Sequence, residues 1–60
     1  MIEKTIERTG EDNYIIFWKH FDWSTHSIPV SRIGLSIHLS WASVIRAYEL
    51  KIGQKIIVKE

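Results

Sequence analysis

The chain has 60 residues, no cysteine and a formal net charge of +1, from eight Lys and Arg against seven Asp and Glu. This length allows one small domain, residues 1–60, and the charge balance is not that of a strongly basic nucleic-acid binder. Without cysteine the chain forms neither disulfides nor thiolate metal sites, which fits a reducing, intracellular setting. No apolar run approaches the roughly 20 residues that span a bilayer, and residues 2–8 are no signal peptide. We therefore expect a soluble, cytoplasmic protein with no membrane contact.

The first half of the chain predicts a β-hairpin. Ile2 and Ile6 would share a face in a strand or in a helix, so their spacing does not decide between the two. Residues 9–13, Thr-Gly-Glu-Asp-Asn, are a turn cluster. The aromatic and β-branched run at residues 14–21 is typical of a strand. Two strands around a short connection make a hairpin the simplest interpretation.

The second of these strands is apolar on both faces, because Tyr14, Ile16 and Trp18 alternate with Ile15 and Phe17. A strand with one face in water would alternate apolar and polar residues instead. We therefore predict that it is central in its sheet or covered by a partner. The alternative, an aromatic platform for nucleic acid, would need a clearly basic groove around the rings.

The middle of the chain is less regular. Residues 22–29 predict a loop, since Pro29 lacks the amide that a strand ladder uses. Residues 30–33 predict a short edge strand, and Gly34 a turn or bulge. Residues 35–39, Leu-Ser-Ile-His-Leu, alternate apolar and polar side chains, which predicts a further strand.

The last third predicts a helix at about 40–52, a glycine stop and a final strand at 56–58. Ser40 is the predicted N-cap, its hydroxyl accepting a hydrogen bond from a first-turn amide. Gly53 would supply the left-handed conformation that ends many helices. Helical spacing predicts an apolar face made of Trp41, Val44, Ile45 and Tyr48. The fold class is therefore a small α+β domain, a mostly antiparallel sheet or partial barrel with one short helix before its final strand.

Large apolar side chains are abundant for so short a chain, with three Trp, two Phe and two Tyr. A domain of this size buries a smaller fraction of its surface than a larger one and is marginal alone. We therefore expect a homodimer or a domain that docks on a partner, with a tight monomeric mini-domain as the alternative.

Catalytic and metal-binding motifs are not recognisable in the sequence. The only candidates for zinc or acid–base chemistry are His20, His26 and His38, whose spacing matches no compact metal motif. There is neither a nucleophile elbow nor a glycine-rich phosphate loop. We predict no enzyme activity, no cofactor and no metal.

From Arg32 onward the order of residues resembles a known family. The pattern consists of Arg32-Ile33-Gly34, then Ile37-His38-Leu39-Ser40, the helix, and Leu50-Lys51-Ile52-Gly53-Gln54-Lys55-Ile56-Ile57-Val58. It is similar to the C-terminal half of swapped-hairpin DNA-binding modules of the AbrB and MazE type. The resemblance implies a homodimer with interleaved strands that binds duplex DNA as a transcription regulator or antitoxin-like protein.

The same resemblance implies which residues would meet DNA. Arg32 matches the basic residue before the family's glycine, and His38 matches a polar, outward-facing position. We add Arg8 and Lys19 on physical grounds, because both could lie on an adjacent strand. Phosphate contacts would supply most of the affinity and make it salt-sensitive. Taken singly, Arg32 and His38 are equally well interpreted as ordinary solvated strand residues.

A second hypothesis is a small protein-interaction module, such as a phage-type inhibitor of a host protein or a subunit of a larger assembly. A near-zero charge and an aromatic-rich strand suit a protein surface better than phosphate. The candidate anchors are Phe17, Trp18, Trp23 and Trp41, because large aromatic side chains often dominate interface energies.

Overall fold

The computed structural model describes residues 2–19 and 23–60 and has the predicted α+β class. Its elements are β1 (Glu3–Arg8), β2 (Asn13–Lys19), β3 (Thr25–Ser31), α1 (Leu35–His38), α2 (Trp41–Tyr48) and β4 (Lys55–Lys59). The strands form one antiparallel sheet in the order β3-β2-β1-β4, which stays open and does not close into a barrel. None of the helices in this described part is long and apolar enough to cross a membrane.

The core lies between one face of the sheet and the two helices. At its centre Ile6 of β1 stands opposite Ile16 of β2 and Ile56 of β4. The helices and the segment after them cover this face with apolar side chains, because a sheet face of this kind must be buried against another layer. The buried apolar residues are Ile6, Tyr14, Ile16, Leu35, Leu39, Val44, Ala47, Leu50 and Val58.

The predicted hairpin is confirmed, and so is the central position of its second strand. β1 and β2 pair antiparallel with Arg8 opposite Tyr14, so the turn cluster joins them directly. Within the sheet β2 lies between β1 and β3. The core accounts for the apolar residues Tyr14 and Ile16 on the inner face of β2, whereas Ile15 and Phe17 on its other face are only half-buried.

The prediction of a loop at 22–29 and an edge strand at 30–33 is wrong in its boundaries. The strand β3 runs from Thr25 to Ser31, while Arg32 and Ile33 lie in the following turn. Pro29 is tolerated because β3 is an edge strand that pairs only with β2. An edge strand needs ladder donors on one side only.

The prediction of a strand at 35–39 is wrong, because Leu35–His38 form α1. The same residues also fit a helical period, because Leu35 and Leu39 are four residues apart, which is about one helical turn. The amide of Leu39 donates to the carbonyl of Leu35 at 3.0 Å, and both side chains are buried. Ile37, which a strand would have placed beside them, is exposed instead.

The predicted helix at 40–52 exists but ends early, at Tyr48. Beyond it the chain bends to bring Leu50 into the core. Gly53 has the predicted positive φ, +92°, but it shapes the turn before β4 and does not end the helix. The final strand is confirmed and is longer than predicted, Lys55–Lys59.

Two details predicted for the helix are corrected. Ser40 does occupy the N-cap position, but its hydroxyl accepts no amide hydrogen bond and instead donates to the Glu60 carboxylate at 2.7 Å. The buried side of α2 consists of Ser43, Val44 and Ala47. Of the predicted apolar face, Trp41 and Ile45 are therefore turned away from the core.

Candidate functional site

The exposed side of the helical layer carries large apolar side chains. Ile33 is 83% exposed, Ile37 78%, Trp41 63% and Ile45 45%. They come from the turn before α1, from α1 and from α2, and the opposite sides of both helices are buried. We call these four residues the helical surface. Large exposed apolar side chains gathered on one layer mark binding sites more often than ordinary protein surface.

Aromatic contacts hold one side of the helical surface in place. The ring of Trp41 meets the ring of Tyr48 edge to face, with 6.4 Å between centroids. On Tyr48 rests the guanidinium of Arg32, whose Cζ is 4.1 Å from the ring centroid. The negative face of the ring attracts the guanidinium without removing its charge. Trp41 therefore has an aromatic neighbour on its own helix and a cation close to that neighbour.

A second apolar surface lies on the sheet face that no described helix covers. Cross-strand pairing sets Ile57, Thr5, Phe17 and Ser27 in one row across all strands. A neighbouring row contains Lys55, Glu7, Ile15 and Pro29, and the row on the other side contains Lys59, Glu3, Lys19 and Thr25. We call these three rows the outer sheet face. Phe17, Ile15 and Thr5 are half-buried, and Ile57 is exposed.

Arg8, predicted to meet DNA, is used inside the molecule. Its Nη1 donates to the carbonyl of Leu50 at 2.8 Å, its Nη2 to Glu11 at 2.9 Å and its Nε to Gly10 at 3.1 Å. The guanidinium thus joins the hairpin turn to the segment after α2. It also lies over the ring of Tyr14, 5.9 Å from the centroid. All three kinds of guanidinium nitrogen are donating within the fold, so Arg8 is a structural residue.

The predicted DNA-contacting residues are divided between the two ends of the sheet. Arg8 and Arg32 lie at the end of the hairpin turn, where the Arg32 amide donates to the carbonyl of Asp12. Lys19 ends β2 at the opposite end of the sheet, paired with Thr25. His38 ends α1, and its carbonyl accepts a hydrogen bond from the Lys4 ammonium at 3.2 Å. The described structure does not bring these residues onto one face.

The predicted aromatic anchors are also dispersed. Phe17 lies on the outer sheet face, while Trp18 is on the other face of β2 and stacks on the ring of His26 at 5.6 Å. Trp23 is 83% exposed in the segment before β3. Only Trp41 belongs to the helical surface. Its isoleucine neighbours Ile33 and Ile37 were not predicted, although their spacing of one helical turn is a visible signal.

Metal binding finds no support among the described residues, where no group of three His, Asp or Glu could hold an ion. His26 lies on β3 and His38 ends α1. The prediction that involves His20 falls outside the residues that the structure describes.

A small open pocket lies between the sheet and the end of α1. It has a volume of about 240 Å³ and is lined by Ile2, Lys4, Ile16, Trp18, Ile28 and His38. This is below the roughly 300–1,000 Å³ of sites for drug-sized ligands. Its one ammonium group, on Lys4, is engaged by the His38 carbonyl and lies 3.9 Å from the Glu60 carboxylate.

No protein-family model, curated protein or solved structure matches this chain.

The Glu60 carboxylate closes the N-terminus of α2. It accepts hydrogen bonds from the hydroxyl of Ser43 at 2.6 Å and from the hydroxyl of Ser40 at 2.7 Å, and also from the Ser40 amide. The Ser43 hydroxyl is the largest cause that lowers the pKa of Glu60, and partial burial opposes it. Further lowering comes from Ser40 and from the charge of Lys4. A carboxylate at this place satisfies free helical donors and suits the positive end of the helix dipole.

We expect the stability of the domain to depend on Glu60 in acid. Its folded pKa lies below its ordinary value of 4.5, so the carboxylate stabilises the fold above that pH. The contribution is lost as the pH falls through the lowered folded pKa. Urea denaturation between about pH 7 and about pH 3 should show a steeper loss of unfolding free energy for the wild type than for Glu60→Gln. Parallel curves for the two proteins would contradict this role.

Proposed function

We propose that this chain is a protein-interaction module that docks on a protein partner through its helical surface. The observation that carries the proposal is the exposure of Ile33, Ile37, Trp41 and Ile45, between 45% and 83%, on one layer of a small domain. Burying apolar surface contributes about 25 cal/mol per Å², which offsets part of the entropy that association costs.

The secondary structure suggests how the partner is shaped. Trp41 and Ile45 lie one helical turn apart on α2, the spacing of anchors that enter an apolar groove. The Trp41 ring contacts the Tyr48 ring edge to face. Arg32 stacks on the same Tyr48 ring and suits an acidic or carbonyl-bearing rim around that groove. The expected partner surface is therefore a hydrophobic groove with acceptors at its edge.

The homodimeric DNA-binding regulator remains the competing hypothesis. It requires cations gathered on one face, because phosphate contacts supply most of the affinity for DNA. The near-neutral charge and the internal hydrogen bonds of Arg8 favour a protein partner instead. AbrB-like ancestry would also need a strand at the position of α1.

Affinity capture with matched variants tests the proposal. Extract of the source organism, treated with nuclease, is passed over the immobilised wild type, a double variant Ile37→Ser/Trp41→Ser, and the control Trp23→Ser. Trp23 is as exposed as the helical-surface residues but lies off both helices. We expect one stoichiometric protein, identified by mass spectrometry, on the wild type and the control but not on the double variant. Equal retention by all three proteins, or loss with Trp23→Ser alone, would contradict the proposal.

Duplex DNA provides the second arm of this experiment. Titration at low salt should produce no detectable complex with the purified wild type. A complex that weakens steeply as salt rises, and that Arg32→Ala disrupts, would favour the regulator over the interaction module.

A further inference from the structure

The outer sheet face is an apolar area of the described residues that the helical surface does not include. A monomer covers one face of its sheet with the helices, and here the other face also carries Phe17, Ile15 and Ile57. An antiparallel sheet that faces only water normally alternates to polar residues on that side. These apolar side chains are bordered by Lys19, Lys55 and Lys59 and by Glu3 and Glu7.

We propose that a second copy of the chain covers this face, sheet against sheet, about a two-fold axis parallel to the strands. The central row supports this arrangement, because its side chains alternate in size: Ile57 large, Thr5 small, Phe17 large and Ser27 small. A two-fold axis between β1 and β2 reverses the order of the row in the second copy. Each large side chain then meets a small one, with Phe17 over Thr5 and Ile57 over Ser27, as interdigitating sheets require.

The charges of the face are compatible with the same axis. The acidic residues Glu3 and Glu7 lie on β1, and the basic residues lie on β2 and β4. Because the rotation places β1 over β2 of the second copy, Glu3 faces Lys19 and no like charges meet. A two-fold axis across the strands would instead place Glu7 over Glu3 and Lys55 over Lys59. Like charges directly opposite each other are destabilising, so that alternative is disfavoured.

The size of the face sets the expected strength of the dimer. Four strands at about 4.8 Å spacing and five residues at about 3.4 Å give a footprint of roughly 300 Å² per copy. This is less than half of the roughly 800 Å² that each partner buries in a standard specific interface, so the contact belongs to the weak class. We therefore expect a concentration-dependent dimer with a dissociation constant between about 1 μM and about 100 μM. The dimer does not depend on the proposed function, but it would leave the two helical surfaces facing outward as a bivalent binder.

Sedimentation equilibrium tests the dimer. The apparent mass of the wild type should rise from 7.1 kDa toward twice that value as the protein concentration increases. Phe17→Lys should weaken dimerisation at least about tenfold, because a charge is then buried against the second sheet. Trp41→Lys, on the helical surface, is the matched control and should leave the dimer unchanged.

Ser27→Lys keeps the experiment decisive if Phe17→Lys fails to fold, since Ser27 is an exposed residue of the edge strand. It too should weaken the dimer, because the added side chain meets Ile57 of the second copy. Circular dichroism confirms that each variant is folded.

A wild type that stays at monomer mass at about millimolar concentration would overturn the proposal, since the arrangement above requires association well below that. A dimer that Trp41→Lys dissociates and Ser27→Lys does not would place the contact on the helices and overturn it as well. Failure of the dimer would leave capture by the helical surface intact, so the two proposals are tested separately.

Discussion

Replacing Ile6 by alanine should unfold the domain or bring it to the edge of unfolding. The side chain is 0% exposed and lies at the centre of the sheet between Ile16 and Ile56. Truncation of a buried isoleucine costs about 2–5 kcal/mol, because apolar contact is lost and a cavity remains. At 0.05–0.15 kcal/mol per residue the whole domain is worth only about 3–9 kcal/mol. Urea denaturation followed by far-ultraviolet circular dichroism measures the loss.

Two variants control for this prediction. Ile6→Val removes one methylene from the same place and should cost about 0.5–1.5 kcal/mol. Ile37→Ala removes a comparable side chain from the exposed face of α1 and should stay within about 0.5 kcal/mol of the wild type. A similar cost for Ile6→Ala and Ile37→Ala would show that the helical surface is part of the core.

Replacing Arg8 by alanine should destabilise the domain by about 2–3 kcal/mol, since hydrogen bonds to charged groups are each worth about 1.5–3 kcal/mol and these share one side chain. Three backbone carbonyls, of Gly10, Glu11 and Leu50, lose their donor together. The hairpin turn and the segment after α2 would no longer be joined. The shift of the urea midpoint measures this effect.

Arg46→Ala is the matched control, because Arg46 is an exposed arginine on α2 and should contribute little. Arg8→Lys should recover only part of the stability, since one ammonium group cannot reach three carbonyls in the way that a planar guanidinium does. An unchanged midpoint in Arg8→Ala would mean that Arg8 is not structural and would reopen its predicted role at DNA.

The parts of the fold that were predicted correctly have strong local signals. The turn cluster at 9–13 between two β-prone runs favours a hairpin, and a strand that is apolar on both faces is central or covered by a partner. The final strand follows from its β-branched run. These features depend on a few neighbouring residues and not on how the distant parts of the chain pack.

The wrong predictions arose where the same residues are compatible with two structures. The spacing of Leu35 and Leu39 suits a strand or one helical turn, and only burial against the sheet selects the helix. Pro29 suggested a loop, because its tolerance depends on whether β3 has a neighbour on one side or on both. In both cases the packing of distant parts of the chain decides which structure forms.

Only part of the candidate site was predicted, because the rest of it also depends on tertiary structure. Trp41 was among the candidate anchors, but the exposure of Ile33 and Ile37 depends on α1 being a helix. Arg8 resembled a free cation because its three acceptors include Leu50, which is distant in sequence. Backbone carbonyls leave no trace in a sequence pattern, so a structural arginine cannot be distinguished from a binding one by its spacing.

Amide hydrogen exchange of the complex with the captured partner tests the central claim most directly. We predict that binding slows exchange across residues 33–48, which contain the helical surface, in the wild type and in Trp23→Ser. The amides of β4 should exchange at the same rate with and without the partner. Protection concentrated on the strands, with residues 33–48 unchanged, would contradict the assignment of the helical surface as the docking site.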